Sequence, residues 1–519
     1  MGEQVLTLAE IVQAKARTAP NVQIVRDLER TLTYAEWNER ANRLANALIQ
    51  QGLTQGDRVA VLAYNCLEWA EIYIATAKAG LVAVPINFRL AAREIQFILE
   101  DAGVKAVIAQ HELAHHIDSI KDSLQITAPA LVHFGAPHAP AGWVGYECMI
   151  AAADSALPAQ TSDPDAPWAL MYTSGTTGNP KGAIRNQRGM SMIALVTAVE
   201  LSIQSQDDAL LVMPMCHANS LNFFCSYLYS NAKVTIYSRK SFDAAHVLSV
   251  MSELGITFTS LVPTQYILFL ELPEQVKAQF QLDSIKHMMI SSAPARAETK
   301  RAVMAMFPNT GLFELYGSSE AGWVTMLHPH EQFSNLGSVG RECVGSAPIR
   351  LLDADGQDVP DGQPGELFSR TPYAFSGYWN QPEKTAKAFR GDYCSVGDIA
   401  YRDEAGFIRL VDRKENMIIS GGENIYPTEV EKVLASFPAV QDAAVVGMPD
   451  QKWGESVHAV VVLRPGQSGE AAEIMAWCRE HLAGYKCPRS ISFLTEDQLP
   501  RTATGKVRHR ALRAQLFAD

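Results

Sequence analysis

"TSGTTGNPKG" fills residues 173–182. Gly175, Gly178 and Gly182 allow left-handed backbone conformations and a close approach to a ligand. Thr173, Ser174, Thr176 and Thr177 bring hydroxyl donors, and successive backbone N–H groups can form a concave anion nest. Lys181 adds one mobile positive charge. This is the composition of a phosphate site, yet not of the common phosphate loop. That loop needs four residues between its glycines and a Ser or Thr after its Lys. Here two residues separate Gly175 from Gly178, and Gly182 follows Lys181. A Gly/Thr/Ser run alone also describes a polar linker, but the apolar "WALMY" (168–172) and "AI" (183–184) on either side argue against that.

The chain around this string has 519 residues, enough for two or more domains. Hydrophobic residues make up 47% and charged residues 19%, as in an ordinary soluble protein. A net charge of −12 argues against general nucleic-acid binding, so an anionic ligand needs a local basic patch or an accompanying metal ion. Eight scattered cysteines form no CxxC pair, which points to reduced thiols and a cytoplasmic compartment. "MGEQVLTLAEIVQAKARTAP" (1–20) reads as an amphipathic helix, not a signal peptide. No apolar run approaches the ~18 residues that would suggest integral membrane association.

Helix-like and strand-like segments alternate along the first third. "TYAEWNERANRLANALIQQG" (33–52) is helical, "DRVAVLAYN" (57–65) a buried strand, "EWAEIYIATAKAG" (68–80) helical, and "LVAVPIN" (81–87) a strand. Such alternation predicts an α/β fold with parallel sheets and helices on their faces. Strand candidates resume at "ALLVMPM" (209–215), "AKVTIYS" (232–238), "ITFTSLVP" (256–263) and "HMMISSAP" (287–294). Residues 349–370 turn to short strands and Asp-Gly turns, a β-rich subdomain. "TEVEKVLASFPAVQDAAVVGMPD" (428–450) reads helix then strand and opens a compact α+β unit of about 100 residues. The expected division is 1–412 and 413–519.

Three further segments join the opening string: "LFELYGSSEAG" (312–322), "YCSVGDIAYRDEAGFIRLVDRKENMIISGGENIYPTEVE" (393–431) and "PRTATGKVRHRAL" (500–512). Together, in this order and at these separations, they resemble the acyl-adenylate-forming superfamily of acyl-CoA synthetases, peptide-synthetase adenylation domains and beetle luciferases. The resemblance covers nearly the whole chain. It implies that a carboxylate attacks the α-phosphate of Mg·ATP, giving an acyl-adenylate and pyrophosphate, after which a thiol displaces AMP. Attack of one anion on another needs cations and oriented donors where charge builds up.

On this resemblance the loop, including Ser174, Gly175, Thr176, Thr177, Gly178 and Lys181, is expected to cradle the β- and γ-phosphates. Lys506 would contact the carboxylate and α-phosphate during adenylation. Glu320 would hold Mg²⁺ with Thr173 nearby, an arrangement suited to a hard cation. Tyr316 would stack on adenine beside Gly317 and Ser319, with Ser292, Ala293 and Pro294 along the other side of the base. Asp398 would take the ribose hydroxyls, and Arg413 ribose or phosphate. His217 would gate the acyl pocket or place the carboxylate. Neighbouring Cys216 is discounted as a nucleophile, because the thiol acceptor is external and adjacent strand residues point to opposite faces. The C-terminal part would rotate about a hinge at Glu415, where many members carry Asp or Lys. Rotation would bring Gly421 and Gly422 to the pantetheine arm of coenzyme A. Lys486, in "AGYKCPR" (483–489), would meet its phosphates; residues 484–513 hold seven Lys or Arg against two acids.

A CoA ligase reads best among the superfamily's activities. An amino-acid-activating domain would need an Asp near "CHANS" (216–220), which has none. A protein that only senses ATP would be expected to lack Lys506 or Glu320. A luciferase-type oxygenase shares every motif, and an amide synthetase stays open as the alternative. The acyl pocket is expected to include Asn219, Phe223, Tyr266 and Trp323, with Trp323 either closing its end or packing in the core. Its apolar and aromatic content, with no evident Lys or Arg, argues against a dicarboxylate, and closure by Trp323 would favour an aromatic or medium-chain fatty acid over a very long chain. A homodimer is compatible with these features.

Overall fold

A computed structural model of the chain describes residues 6–124, 131–159, 163–173, 180–292, 295–420, 423–502 and 505–518. Its contacts divide it into two compact units: residues up to Pro348 with Ser369–Cys394, and Ile349–Phe368 with the chain from Ser395 onward. The boundary expected between 412 and 413 therefore falls inside the second unit, at the end of the strand Ile408–Arg413.

The first unit contains two mixed sheets. In the seven-stranded sheet, Val104–Gln110, Arg58–Leu62, Val82–Pro85 and Pro167–Thr173 run parallel at the centre, and Lys181–Asn186 closes one edge antiparallel to Pro167–Thr173. In the nine-stranded sheet, Gly311–Ser318, His287–Ile290, Phe258–Leu261, Asp208–Leu211 and Lys233–Ile236 are parallel neighbours, and Gly322–Leu327 folds back on Gly311–Ser318 as a hairpin. The largest hydrophobic cluster joins Val59, Ile108 and Met171 of the first sheet to Leu211, Phe258 and Leu315 of the second. The helices Tyr34–Gln50, Glu68–Ala79, Gln187–Glu200 and Ala218–Tyr229 contribute to that cluster.

Each strand anticipated between 57 and 294 is present, shorter than its apolar run by a few residues at the ends. Helix Glu68–Ala79 is buried over its whole length, so even Glu68 and Glu71 lie inside. They are matched by Arg30 at 2.8 Å and Arg40 at 2.6 Å, as burial of a carboxylate requires.

The second unit has an antiparallel sheet of Arg350–Leu352, Gly365–Phe368, Asp398–Arg402 and Ile408–Arg413. A second sheet is built on the long hairpin Val440–Asp450 and Gly454–Leu463, with helices Pro427–Ala435 and Ala471–His481 completing its core. Asp412 ties the two parts, accepting hydrogen bonds from the backbone N–H and hydroxyl of Thr428, both at 2.8 Å.

His509, which begins the helix His509–Ala518, lies 2.6 Å from Glu431. Burial pushes the imidazole pKa down, but the bond to Glu431 outweighs it and leaves the group raised. A raised histidine stabilises the folded state below its unfolded pKa of about 6.5, and the contribution fades as pH climbs through the folded value. The melting-temperature gap between the wild type and His509→Gln should thus be wider at about pH 6 than at about pH 9. Equal gaps at both pH values would show that the pair contributes by packing alone.

Candidate active site

The candidate residues of the first unit sit just beyond the carboxyl ends of parallel strands, where open α/β sheets bind ligands. Thr173 ends Pro167–Thr173, His217 follows Asp208–Leu211, Ser292 follows His287–Ile290, and Tyr316 and Gly317 lie at the end of Gly311–Ser318. Thr173 and Lys181 are register partners at the roots of the opening string. Ser174, Gly175, Thr176, Thr177 and Gly178 lie outside the described residues, as do Ala293, Pro294, Gly421 and Gly422. Gly182 has a packing reason of its own, because a Cβ there would come within 3.1 Å of the Tyr172 ring.

Glu320 stands in the turn between the strands Gly311–Ser318 and Gly322–Leu327. A Cβ on Gly317 would lie 2.2 Å from the Gly322 carbonyl oxygen, so the hairpin can close this tightly only with glycine there. The turn is fixed from outside. The Phe375 N–H donates to the Glu320 carbonyl at 2.7 Å, and buried Arg185 donates to the Ser319 carbonyl at 2.9 Å. The Glu320 carboxylate accepts from the Tyr378 hydroxyl at 2.9 Å and has the Thr173 hydroxyl at 3.5 Å. Lys181 Nζ lies over the Tyr378 ring, 4.5 Å from its centroid. One carboxylate, two hydroxyls and one ammonium thus meet where the string begins and ends. Tyr378 and Arg185 are participants that the sequence did not single out; "GYWN" (377–380), with its glycine at φ 135°, was the available sign of a tight aromatic turn.

His217 caps helix Ala218–Tyr229, its Nδ1 accepting from the Asn219 N–H at 3.4 Å. Burial lifts the adjacent Cys216 thiol to about 12, which keeps it protonated and agrees with discounting it as a nucleophile. At the second residue of the helix, Asn219 Nδ2 donates to Ser291 at 2.9 Å and Ser260 at 3.2 Å. Phe223 packs between Phe258 and Trp323, with centroids at 4.8 and 5.2 Å. Trp323 is 5% exposed and donates its indole N–H to Thr197 at 2.8 Å. Tyr266 is not brought to this group: it packs in a separate cluster with Phe269 and Leu261, its hydroxyl donating to the Met289 carbonyl.

Trp323→Ala should cost about 3–5 kcal/mol of stability through the lost packing. If Trp323 closes the acyl pocket, the same change should also shift the preference towards longer acids by at least about tenfold in kcat/KM. A panel of acids of graded length separates the two roles, since a purely packing tryptophan leaves the ranking unchanged.

In the second unit, Asp398 and Arg413 are register partners across two strands, joined by an ion pair of 2.5 Å. Lys506 follows Gly505, whose φ of 83° makes a tight turn, and its N–H donates to the Thr502 hydroxyl at 3.1 Å. Although the residue is exposed, the protein crowding its ammonium pushes the pKa down; Arg413 adds to the shift and Asp398 opposes it. Lys506, Arg413 and Asp398 therefore form one electrostatic group. Lys486 is held by Glu429 at 2.7 Å. Glu415 lies between the strands Ile408–Arg413 and Ile418–Ser420.

Residues 12–379 match the family of AMP-binding enzymes, and residues 429–506 match the AMP-binding enzyme C-terminal domain. The chain belongs to the AMP-binding enzymes. It is 36% identical to a feruloyl-CoA synthase of an Amycolatopsis species, over 95% of this chain and 96% of that one. A long-chain-fatty-acid–CoA ligase of Mycobacterium tuberculosis is 33% identical, with 98% of both chains covered. The solved structure of an anthranilate CoA ligase in complex with anthranoyl-AMP superposes with a TM-score of 0.87 at 28% identity, covering 99% of this chain and 98% of that one. Membership in the AMP-binding enzymes accounts for both the α/β architecture of the first unit and the α+β build of the chain after Pro427. No helix among the described residues is long and apolar enough to cross a membrane.

Proposed function

We infer that this chain is an ATP-dependent carboxylate–CoA ligase, forming acyl-CoA, AMP and pyrophosphate through an acyl-adenylate. The observation that carries the reading is the meeting of Glu320, Thr173, Tyr378 and Lys181 at the ends of the 173–182 string. Such a cluster suits the triphosphate of a nucleotide cleaved between its α- and β-phosphates. The related CoA ligases support the thiol acceptor and weigh against an amide synthetase.

Glu320 and Thr173 offer hard oxygen donors, and the described residues contain no group of three or more His, Cys, Asp or Glu that could hold a metal. That donor set fits Mg²⁺, which binds through one or two carboxylates while phosphates and water fill its remaining positions. When bound, the ion would screen the phosphate charge. Lys181 adds a positive charge to the β- and γ-phosphates, and the 174–178 backbone would surround them. Lys506 holds the attacking carboxylate and an α-phosphate oxygen together as negative charge grows there. Tyr316, Gly317, Ser319 and Ser292–Pro294 frame adenine. Asp398, kept in place by Arg413, takes the ribose hydroxyls. His217 would position the acid in an acyl pocket formed by Asn219, Phe223 and Trp323.

Residues 413–519 then turn about Glu415, withdrawing Lys506 and presenting Gly421 and Gly422 to coenzyme A. Lys486 would exchange Glu429 for a phosphate of that cofactor. The rings of Phe223, Phe258 and Trp323 favour an aromatic or medium-chain acid. The eight free cysteines support a cytoplasmic setting, and association as a homodimer belongs to the same proposal.

Product analysis with Mg·ATP, coenzyme A and a panel of aromatic and fatty acids tests the reading. AMP together with an acyl-CoA mass peak is expected for one class of acid. AMP released without need of coenzyme A would point to another acceptor, and ADP as the only product would overturn the adenylate route.

A further inference from the structure

Between the strand His287–Ile290 and the helix Ala297–Met306 runs the short loop that the proposed function sets against adenine. Ser292 has φ +66°, in the left-handed region that favours glycine. Such a conformation costs about 1–3 kcal/mol and persists only where its surroundings impose it. One anchor is the Ser291 hydroxyl, which is hydrogen-bonded to Asn219 and Ser260. The other lies at the far end, where the Ala295 N–H donates to the Glu314 carboxylate.

Glu314 is not a surface acid. It is 4% exposed, and it forms an ion pair with Lys300, itself 1% exposed, one turn into the following helix. Two charges placed this deep must be paired, because a lone one would be strongly destabilising. Glu314 is also register partner of Ile290, the last residue before the loop. Two residues further on, and so on the same face of the strand, stands Tyr316. The pair therefore joins the strand bearing the proposed adenine-stacking ring, the end of the adenine loop and the helix that follows it. Helix Ala297–Met306 has no side-chain cap hydrogen bond at its N-terminus, and Lys300 ties its first turn to the strand Gly311–Ser318.

We propose that Lys300 and Glu314 are positioning residues for ATP recognition, fixing Ala295 at the end of the proposed adenine loop together with the strand that carries Tyr316. The proposal rests on the reading of that loop and Tyr316 as the two sides of the adenine site. Its consequence is selective: loss of the anchor should loosen the grip on the nucleotide base and leave the acid site as it was.

Two double variants isolate the effect, both free of stranded charge. Lys300→Met/Glu314→Leu removes the pair and the acceptor for Ala295, whereas Lys300→Met/Glu314→Gln removes the charges but keeps an acceptor. Steady-state pyrophosphate release should show KM for ATP raised about tenfold in the first, the size expected for losing a hydrogen bond to a charged group. KM for the acid should stay within about twofold, and the preference for ATP over GTP should fall. The Gln-containing variant should recover most of the ATP affinity. Equal rises in both KM values, an unchanged KM for ATP, or the same defect in both variants would overturn the proposal. Hydrogen exchange on the unaltered protein supplies a check that needs no variant to fold: the Ala295 amide should be protected without nucleotide, and rapid exchange there would count against the anchor. A wild-type chain that makes no AMP with any acid would remove the adenine reading and this proposal with it. A wild type that makes AMP while the variants keep their ATP affinity would remove the anchor alone.

Discussion

Lys506→Ala is expected to lower the rate of acyl-adenylate formation about 10²–10³-fold, the loss typical when one donor to a developing anion is removed. Thioester formation from a pre-made acyl-adenylate and coenzyme A should stay within a few-fold of wild type. The asymmetry follows from what the ammonium does. Carboxylate and α-phosphate are both anionic, and only a cation shared between them lowers the cost of their approach. Once the adenylate exists, that charge has no further part in the displacement of AMP by a thiol. The turn that carries Lys506 is fixed by Thr502 and by Arg501, whose guanidinium donates to the Gly505 carbonyl at 2.8 Å. Truncation beyond Cβ should therefore leave the turn intact. The neighbouring Arg413 and the crowded surroundings lower the Lys506 pKa from its ordinary 10.5, so adenylation should decline on the alkaline side earlier than an unperturbed lysine would dictate. Pyrophosphate release with acid and ATP measures the first step, and acyl-CoA formed from synthetic adenylate measures the second. Full adenylation with lost thioester formation would reverse the assigned role.

Much of this was legible in the sequence, because the signals were local. A short apolar run is a local signal, and the strands from Arg58–Leu62 to His287–Ile290 fall on such runs. Thr173 and Lys181, both singled out in the 173–182 string, meet because a hairpin joins residues that are near in sequence. Contacts made across long separations were not readable. Tyr378 reaches Glu320 over 58 positions and Arg185 reaches Ser319 over 134, and no periodicity links such pairs. Lys300 and Glu314 show the same limit in another form: as letters they are an ordinary Lys and Glu, and only burial makes them a matched pair. Tyr266 shows the limit from the other side. Its place in "SLVPTQY" (260–266) suggested the acyl pocket, but the chain turns into a helix at Pro263 and carries the ring to a different cluster. The grouping of 349–368 with the chain after 395 was hidden for a topological reason, since pairing of Gly365–Phe368 with Asp398–Arg402 skips an intervening segment that packs elsewhere.

Glu320→Gln should reduce adenylation about 10²-fold or more and raise the Mg²⁺ concentration needed for half-maximal rate, because an amide oxygen is a far weaker ligand for a hard cation than a carboxylate. The substitution is chosen to separate charge from architecture. Glutamine is nearly isosteric and retains an oxygen that can accept from the Tyr378 hydroxyl, now at 2.9 Å, so the hairpin turn should survive. The turn is in any case secured through backbone groups, with Phe375 on Glu320 itself, Arg185 on Ser319 and the Thr371 hydroxyl on the Ala321 carbonyl at 2.9 Å. Tyr378→Phe supplies the contrast: it removes one hydrogen bond to the carboxylate, a loss of about 1.5–3 kcal/mol for a charged acceptor, without removing the charge. Its effect should be correspondingly smaller, and excess Mg²⁺ should largely restore its rate. If the carboxylate acted only by holding Tyr378 and the turn, the two variants would show equal losses and the same Mg²⁺ dependence as wild type. A Mg²⁺ titration of AMP formation on the three proteins therefore distinguishes a metal-holding Glu320 from one that merely braces the loop.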